Sequence, residues 1–362
     1  MKNTFGLLFL AMGLFAGSSL QAQTTVKMSA VKANNYGVTY SLPKTLFTIE
    51  TTVKKTTRTA GEFYQYAERY LGVTNAIKEN SIEYSLQKVN VQSKGIPDKS
   101  NSYLVEFRSN TQSPFVTLTK DGLICAINND AVIEPEKTPE LEIAVAPQLR
   151  PNPRSFLSEE IMSAGSTAKQ AELIAKQIFK LRETRNDILT GDADNMPPDG
   201  NAYKLVIGQL TEQEKALTEM FVGHEESENS TSEMTMIPTD RNIDNQVLFR
   251  FSKKLGIVAA DDLAGAPVYL SLVNKTPVEK PILTDKEAKA LAEKMSKGII
   301  YNIPSKALLE LTFEGQSLLK KEVDVVQFGT QDVLTEKMFD NNKQPIRVIF
   351  YPDLGAVKQI IQ

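Results

Sequence analysis

The sequence predicts an α+β fold: two mostly antiparallel β modules with a helical hairpin between them. Three observations carry this. Residues 156–223 repeat apolar side chains at three- and four-residue steps, the spacing of one helix face. On both sides of that block, short runs alternate apolar and polar residues between Gly, Pro, Asn and Asp, as half-buried strands do. Of the 362 residues, 41% are hydrophobic and 23% charged, the composition of a chain that builds ordinary cores.

The boundaries read from the sequence are 1–22 for a signal peptide, 26–129 for an N-terminal β module with one packed helix, 130–155 for a Pro-rich linker, 156–223 for the helical hairpin and 224–362 for a C-terminal β module. At the start, Lys2 is followed by an apolar run from Phe5 to Phe15, too short to span a bilayer, and Leu20-Gln21-Ala22 suits signal cleavage before Gln23. No cysteine follows that position, so a lipoprotein anchor is not expected, and no later segment reads as a membrane helix. The expectation is an exported, soluble, periplasmic protein.

In the N-terminal module, Tyr36–Leu42 and Leu46–Val53 read as two strands separated by Pro43. Phe63, Tyr66, Ala67, Tyr70 and Leu71 fall at helical spacing, closed by Gly72. Three aromatics on such a face are expected in the core rather than as a platform for sugar rings. Ile82, Tyr84 and Leu86 alternate, then Val89 and Val91 resume out of phase, which predicts a β-bulge. Tyr103, Val105 and Phe107 form a further strand, and Lys120-Asp121-Gly122 turns a hairpin. The linker carries Pro135, Pro139, Pro147, Pro151 and Pro153.

The first long helix places Ala171, Ile174, Ala175, Ile178, Leu181, Ile188 and Leu189 on one stripe, with Ser166 as N-cap and Gly191 as its left-handed stop. Arg182 and Arg185 interrupt the stripe. Their stems are expected to cover apolar surface with the heads near the helix C-terminus; the sharper reading is an anion or partner site. The second helix presents Tyr203, Val206, Ile207, Leu210, Leu217 and Phe221, with Pro197 and Pro198 preventing continuation and Asp199 as cap. Asp192-x-Asp194 starts like a calcium loop, but Met196, Pro197 and Tyr203 stand where a ligand, a glycine and a bidentate glutamate are needed. Asp192, Asp194 and Asp199 therefore read as a surface turn, with a calcium site of another geometry as the alternative, and no metal or cofactor is expected.

Residues 224–236 are polar and acidic, and a mobile loop or hairpin tip is expected there. The C-terminal module then runs through strands around Val247–Phe251 and 267–273, an amphipathic helix capped by Thr284 or Asp285, and strand patterns to the end. One internal echo stands out. GVTYSLP at 37–43 resembles GIIYNIP at 298–304, and VTLTKDGLICAI is echoed by VIFYPDLGAVKQI. Duplicated modules are one reading and convergent strand-turn-strand patterning the other.

Several function classes are disfavoured. The net charge of −3 gives no basic footprint for nucleic acid. His224 is the only histidine and Cys125 the only cysteine, so zinc sites built on these residues would need both together, and a Ser-His-Asp triad would have to use His224 in a polar stretch. Ser-x-x-Lys occurs at Ser29, Ser41, Ser85, Ser166 and Ser317 without its companion motifs, and no phosphate-cradling glycine loop is present. Carboxylate pairs are numerous and unranked. Cys125, inside a strand pattern, reads as a small core residue.

SLPKT, FYQYAERYLG, TGDADNMPPDG, VLFRFSKKLG and GIIYNIP together resemble an uncharacterised family of exported Gram-negative envelope proteins, catalogued as a domain of unknown function. The resemblance covers nearly all of the chain after residue 22. It implies export and a shared fold, and it brings no catalytic residue with it. The functional expectation is a non-catalytic binding or scaffolding protein of the cell envelope, whose partner is an envelope protein or glycan. The alternative is a carboxylate hydrolase, which would show two facing carboxylates about 5–10 Å apart, one of them with a raised pKa.

Overall fold

The computed structural model describes residues 24–27, 37–106, 116–129, 150–198, 200–277, 284–335, 338–339 and 346–361. The signal-peptide expectation, Phe107, most of the linker and Asp199 fall outside these residues.

Two very long hairpins dominate. The first pairs β2 (Gly37–Thr59) with β3 (Ser81–Glu106); the second pairs β10 (Gly298–Phe313) with β11 (Gln316–Thr335). The tight turn of the second is dictated locally. Glu314 and Gly315 both take positive φ, 48° and 78°, and this two-residue geometry matches the twist of the strands it joins. Around the first hairpin a four-stranded sheet forms in the order β1 (Thr24–Lys27), β3, β2, β6 (His224–Met236). Around the second a five-stranded sheet forms in the order β11, β10, β9 (Ala266–Asn274), β7 (Ile243–Ser252), β8 (Gly256–Val258). A third sheet orders β13 (Ala356–Ile361), β12 (Arg347–Tyr351), β5 (Ile124–Ile127) and β4 (Val116–Leu118). All the strand pairings in these sheets are antiparallel. The fold is α+β and rich in strand.

The two large sheets pack face to face. Phe47, Ile49 and Val91 from the first meet Leu270, Leu309 and Val325 from the second, all at or below 1% exposure. The third sheet closes one end, where Ile124, Ile127, Val348 and Phe350 join Tyr40, Val105 and Ile299 in a second cluster. The helices make a core of their own. α3 (Thr167–Thr190) and α4 (Asn201–Val222) bury Ile174, Ile178, Leu217 and Phe221 against Phe63 and Ala67 at the start of α1 (Ala67–Leu71) and Ile161 of α2 (Glu159–Met162). The aromatic face of 63–70 is thus packed against the hairpin, with Tyr66 and Tyr70 stacked 6.0 Å apart. α5 (Asp285–Met295) starts at Thr284 with a capping box to Glu287.

Several expectations change. Pro43 does not separate two strands: β2 runs through it, because Pro43 sits at a register break where its missing N–H costs no ladder bond. Residues 224–236 are a strand, not a loop. Their Ser, Thr, Glu and Asn side chains suit an edge with both faces wet, and β6 pairs with β2 over Phe47↔Met236 to Thr59↔His224. Leu189 leaves the stripe and is 59% exposed, since no described residue covers that side of the last turn of α3. Gly200, not an acidic side chain, occupies the N-cap of α4. Strands also cross the boundary drawn between the β modules: β6 joins the first hairpin's sheet, and β12 pairs with β5. The slip between Leu86 and Val89 is a bulge as the alternation predicted, with Thr52 opposite Lys88, Val53 opposite Leu86 and Gln87 left over.

Candidate functional site

The echoed heptapeptides mark the same backbone event in both hairpins. Gly37 and Gly298 begin their strands so close to the partner that a Cβ would sit 2.1 Å from the carbonyl oxygen of Val105 or Leu334 respectively. Four residues on, Ser41 N donates to Gly122 O and Asn302 N donates to Gly355 O, each at 2.9 Å. Gly122 and Gly355 are the left-handed turn glycines of the β4–β5 and β12–β13 hairpins. Then both ladders break in the same way. Ser41↔Ser102 is followed by Pro43↔Pro97, so Leu42 faces residues 98–101; Ile303↔Thr330 is followed by Ser305↔Val325, so Pro304 faces residues 326–329. One residue opposes four in each case, and the excess bulges outward.

These two excursions meet and line one hollow of about 390 Å³, with Pro43, Lys44, Asp98, Asn101, Gln327 and Gln331 on its walls. Thr45 ties the hairpins together below it: its N–H donates to Gln327 Oε1 at 3.1 Å, its carbonyl accepts from Gln327 Nε2 at 2.9 Å, and its hydroxyl accepts from Val326 N at 3.0 Å. Asn302, 2% exposed, donates through Nδ2 to Pro43 O and Leu354 O and accepts from Gln331 Nε2 at 3.3 Å. Tyr103 Oη lies 3.4 Å from both Asn101 Oδ1 and Gln331 Oε1, linking the floor of the hollow to the buried Tyr40–Tyr103 ring pair. Burial pushes the Tyr103 phenol up, with the Gln331 hydrogen bond opposing and the nearby Asp98 charge adding to it.

Asp98 opens its excursion by capping it. Its carboxylate accepts from Ser100 N at 3.1 Å, Ser100 Oγ at 2.7 Å and Asn101 Nδ2 at 2.6 Å. Partial burial pushes this carboxyl up, but the three hydrogen bonds and the positive charge of Lys44 outweigh it and hold Asp98 below the usual carboxylate range. Asp98 is therefore ionised at neutral pH and accepts hydrogen bonds.

The residues singled out from sequence lie elsewhere, on the helical hairpin. Arg182 and Arg185 both grip Glu214 of α4: Arg182 Nε donates to Oε1 at 2.6 Å and Arg185 to Oε2, while the Glu214 side chain is only 14% exposed. The Arg182 guanidinium also stacks over Phe179. A groove of about 320 Å³ follows α4 past Arg182, Glu214 and Thr218 to Glu219, whose carboxylate is held by Arg150 at 3.1 Å. Asp192 Oδ2 accepts from Thr190 Oγ1 at 2.8 Å, and its N–H donates to Asp187 O, so it closes the end of α3; Asp194 is exposed. Among the described residues, no three His, Cys, Asp or Glu side chains gather as a metal-ligand group, and no helix is long and apolar enough to cross a membrane. Cys125 is buried, and burial pushes its thiol up.

The hollow was missed from the sequence because none of its residues carries a motif. The signal was the repeated Gly-x-x-Tyr-x-x-Pro, which marks the strand opposite each excursion. No curated protein and no solved structure matches the chain. A family model does match, over residues 36–358, and the chain belongs to that family, described as domain of unknown function DUF4831.

Proposed function

We propose that this is a non-catalytic binding protein of the bacterial cell envelope, and that the hollow between the two long hairpins is its binding site. The observation that carries the reading is the state of the carboxylates. Among the described residues Asp98 is the one acidic residue lining the hollow, and it is held ionised by Ser100 and Asn101. In the helical groove, Glu214 is engaged by two arginines and Glu219 by Arg150. A carboxylate hydrolase needs one carboxyl kept protonated and a second facing it. Among the described residues, the carboxyls whose titration the fold shifts, Asp98, Glu172, Glu287, Glu293 and Asp332, all move down. Polar groups held in place by one another, as Asn302, Gln331 and Asn101 are, suit recognition, because little ordering remains to be done on binding.

Export is part of the proposal and rests on Lys2, the Phe5–Phe15 run and Ala22. Mass spectrometry of the protein isolated from cell envelopes should give an N-terminus near Gln23, and retention of Met1 there would contradict it. The binding role is tested by capture from envelope extracts on immobilised wild type and two double variants. Loss of the captured component in Lys44→Ala/Gln331→Ala, with retention in Arg182→Ala/Arg185→Ala, supports the hollow. The reverse pattern would move the site to the helices.

A further inference from the structure

Resting on that reading, we infer that the hollow takes a short stretch of neutral glycan, recognised through its hydroxyl groups. The lining mixes three kinds of polar group within one small space. Asn101, Gln327 and Gln331 are carboxamides, each able to donate and to accept; Asp98 is an ionised acceptor; Lys44 is a donor only. A sugar hydroxyl donates and accepts at once, so a ring bearing several of them needs this alternation. Ligands of one sign do not fit it. An anion would meet the Asp98 carboxylate, which the Ser100 and Asn101 bonds keep charged. A cation would meet the positive charge of Lys44, which lines the same hollow.

The backbone argues against a peptide strand. An added strand reads a regular edge of alternating N–H and C=O groups. At this place both ladders are interrupted, with residues 98–101 and 326–329 bulged out of register, and part of their bonding is already used: Val326 N goes to Thr45 Oγ1 and Phe328 O accepts from Ser305 Oγ. What remains is a cup of side chains, with Pro43 and Val326 as the apolar wall against which the C–H face of a sugar ring can lie. At about 390 Å³ the cup is at the small end of ligand sites, which suits one or two sugar units of a longer chain.

The test is calorimetric titration of the full chain with neutral oligosaccharides (N-acetylglucosamine oligomers, and α- and β-linked glucose oligomers) and, in a parallel arm, with uncharged tetrapeptides. Titration of intact envelope glycan beside the soluble oligomers separates recognition of a free sugar from recognition of the polymer. Saturable binding of at least one oligosaccharide is expected, weakened tenfold or more in Gln331→Ala and in Asp98→Ala, and unchanged in Lys215→Ala on the helical groove. Gln331 is exposed, but it also donates to the buried Asn302 amide, so far-UV circular dichroism and urea unfolding must show that its variant keeps the fold. If no oligosaccharide titrates, the glycan inference is overturned. Tetrapeptide binding sensitive to Gln331→Ala would also overturn it while leaving the binding role intact. Oligosaccharide binding that survives both hollow variants would place the sugar elsewhere and overturn the site.

Discussion

Tyr40→Phe removes a single oxygen, and the structure gives that oxygen an unusual load. The Tyr40 ring is fully buried, and its hydroxyl accepts from Ile300 N at 2.9 Å while donating to Ile300 O at 3.1 Å. It therefore completes the backbone of β10 at a point before β9 begins to pair with it at Ala307. Burial pushes the Tyr40 phenol far above the ordinary tyrosine range, so the bridge stays neutral at any working pH. Without the hydroxyl, the N–H and C=O of Ile300, itself 5% exposed, are left unpaired. Each buried orphan costs about 1–3 kcal/mol, and sparing the hydroxyl its own burial returns part of that, so the net loss should be about 2–4 kcal/mol. Urea unfolding followed by far-UV circular dichroism should show a lower midpoint with an unchanged slope. Tyr301→Phe is the internal control. Tyr301 occupies the matching position of the second heptapeptide but is only half-buried, and its titration is set by burial and charge rather than by a hydrogen bond. It should cost under about 0.5 kcal/mol, as surface changes do. A loss that small in Tyr40→Phe would refute the claim that this hydroxyl locks the two hairpins together.

Ile178 has no exposure in the helical core, and Ile178→Ala should lose about 2–5 kcal/mol in the same assay; a loss below about 0.5 kcal/mol would mean that face is open and free for a partner. Thr51 is fully buried between Ile49 and Val53, and its hydroxyl has no hydrogen-bond partner, so Thr51→Val should gain about 1 kcal/mol and raise the melting temperature; a lower melting temperature would reveal a hydrogen bond that the hydroxyl makes. Asp98 has a folded-state pKa below its ordinary value of 3.8. Its stabilising contribution is therefore full above that value and fades as pH falls through the folded pKa. Wild type should exceed Asp98→Asn in stability at pH 6, with the gap narrowing below about pH 4; a gap independent of pH would contradict the linkage.

The class of the fold was legible because alternation and helical periodicity are local properties. Ser166, Gly191 and Thr284 act as caps where their side-chain chemistry suggests, and the bulge at Gln87 is visible as a phase slip between Leu86 and Val89. Partnership across the chain was not legible. Nothing in the composition of 224–236 says that β2, over 160 residues earlier, offers a free edge at Thr48–Thr59, and a polar strand lacks the apolar period that announces strands. Pro43 signals a strand end in the sequence yet lies inside β2, since a proline stops a strand only where its N–H is required. Arg182 and Arg185 were recognisable as exceptions to an apolar stripe, but Glu214 could not be assigned to them without knowing how the two helices face each other. The hollow depends on two four-residue excursions, more than 200 residues apart in the chain, meeting from separate hairpins, and only the echoed heptapeptides hinted that the two places were equivalent.

The central claim is that this protein binds through the junction of its two long hairpins. Hydrogen-exchange mass spectrometry of the full chain, alone and in the presence of soluble envelope glycan, tests it most directly. The account predicts slowed exchange in peptides covering 94–102 and 326–331, with α3 and α4 unchanged. Slowed exchange confined to α3 and α4, or none anywhere, would contradict it.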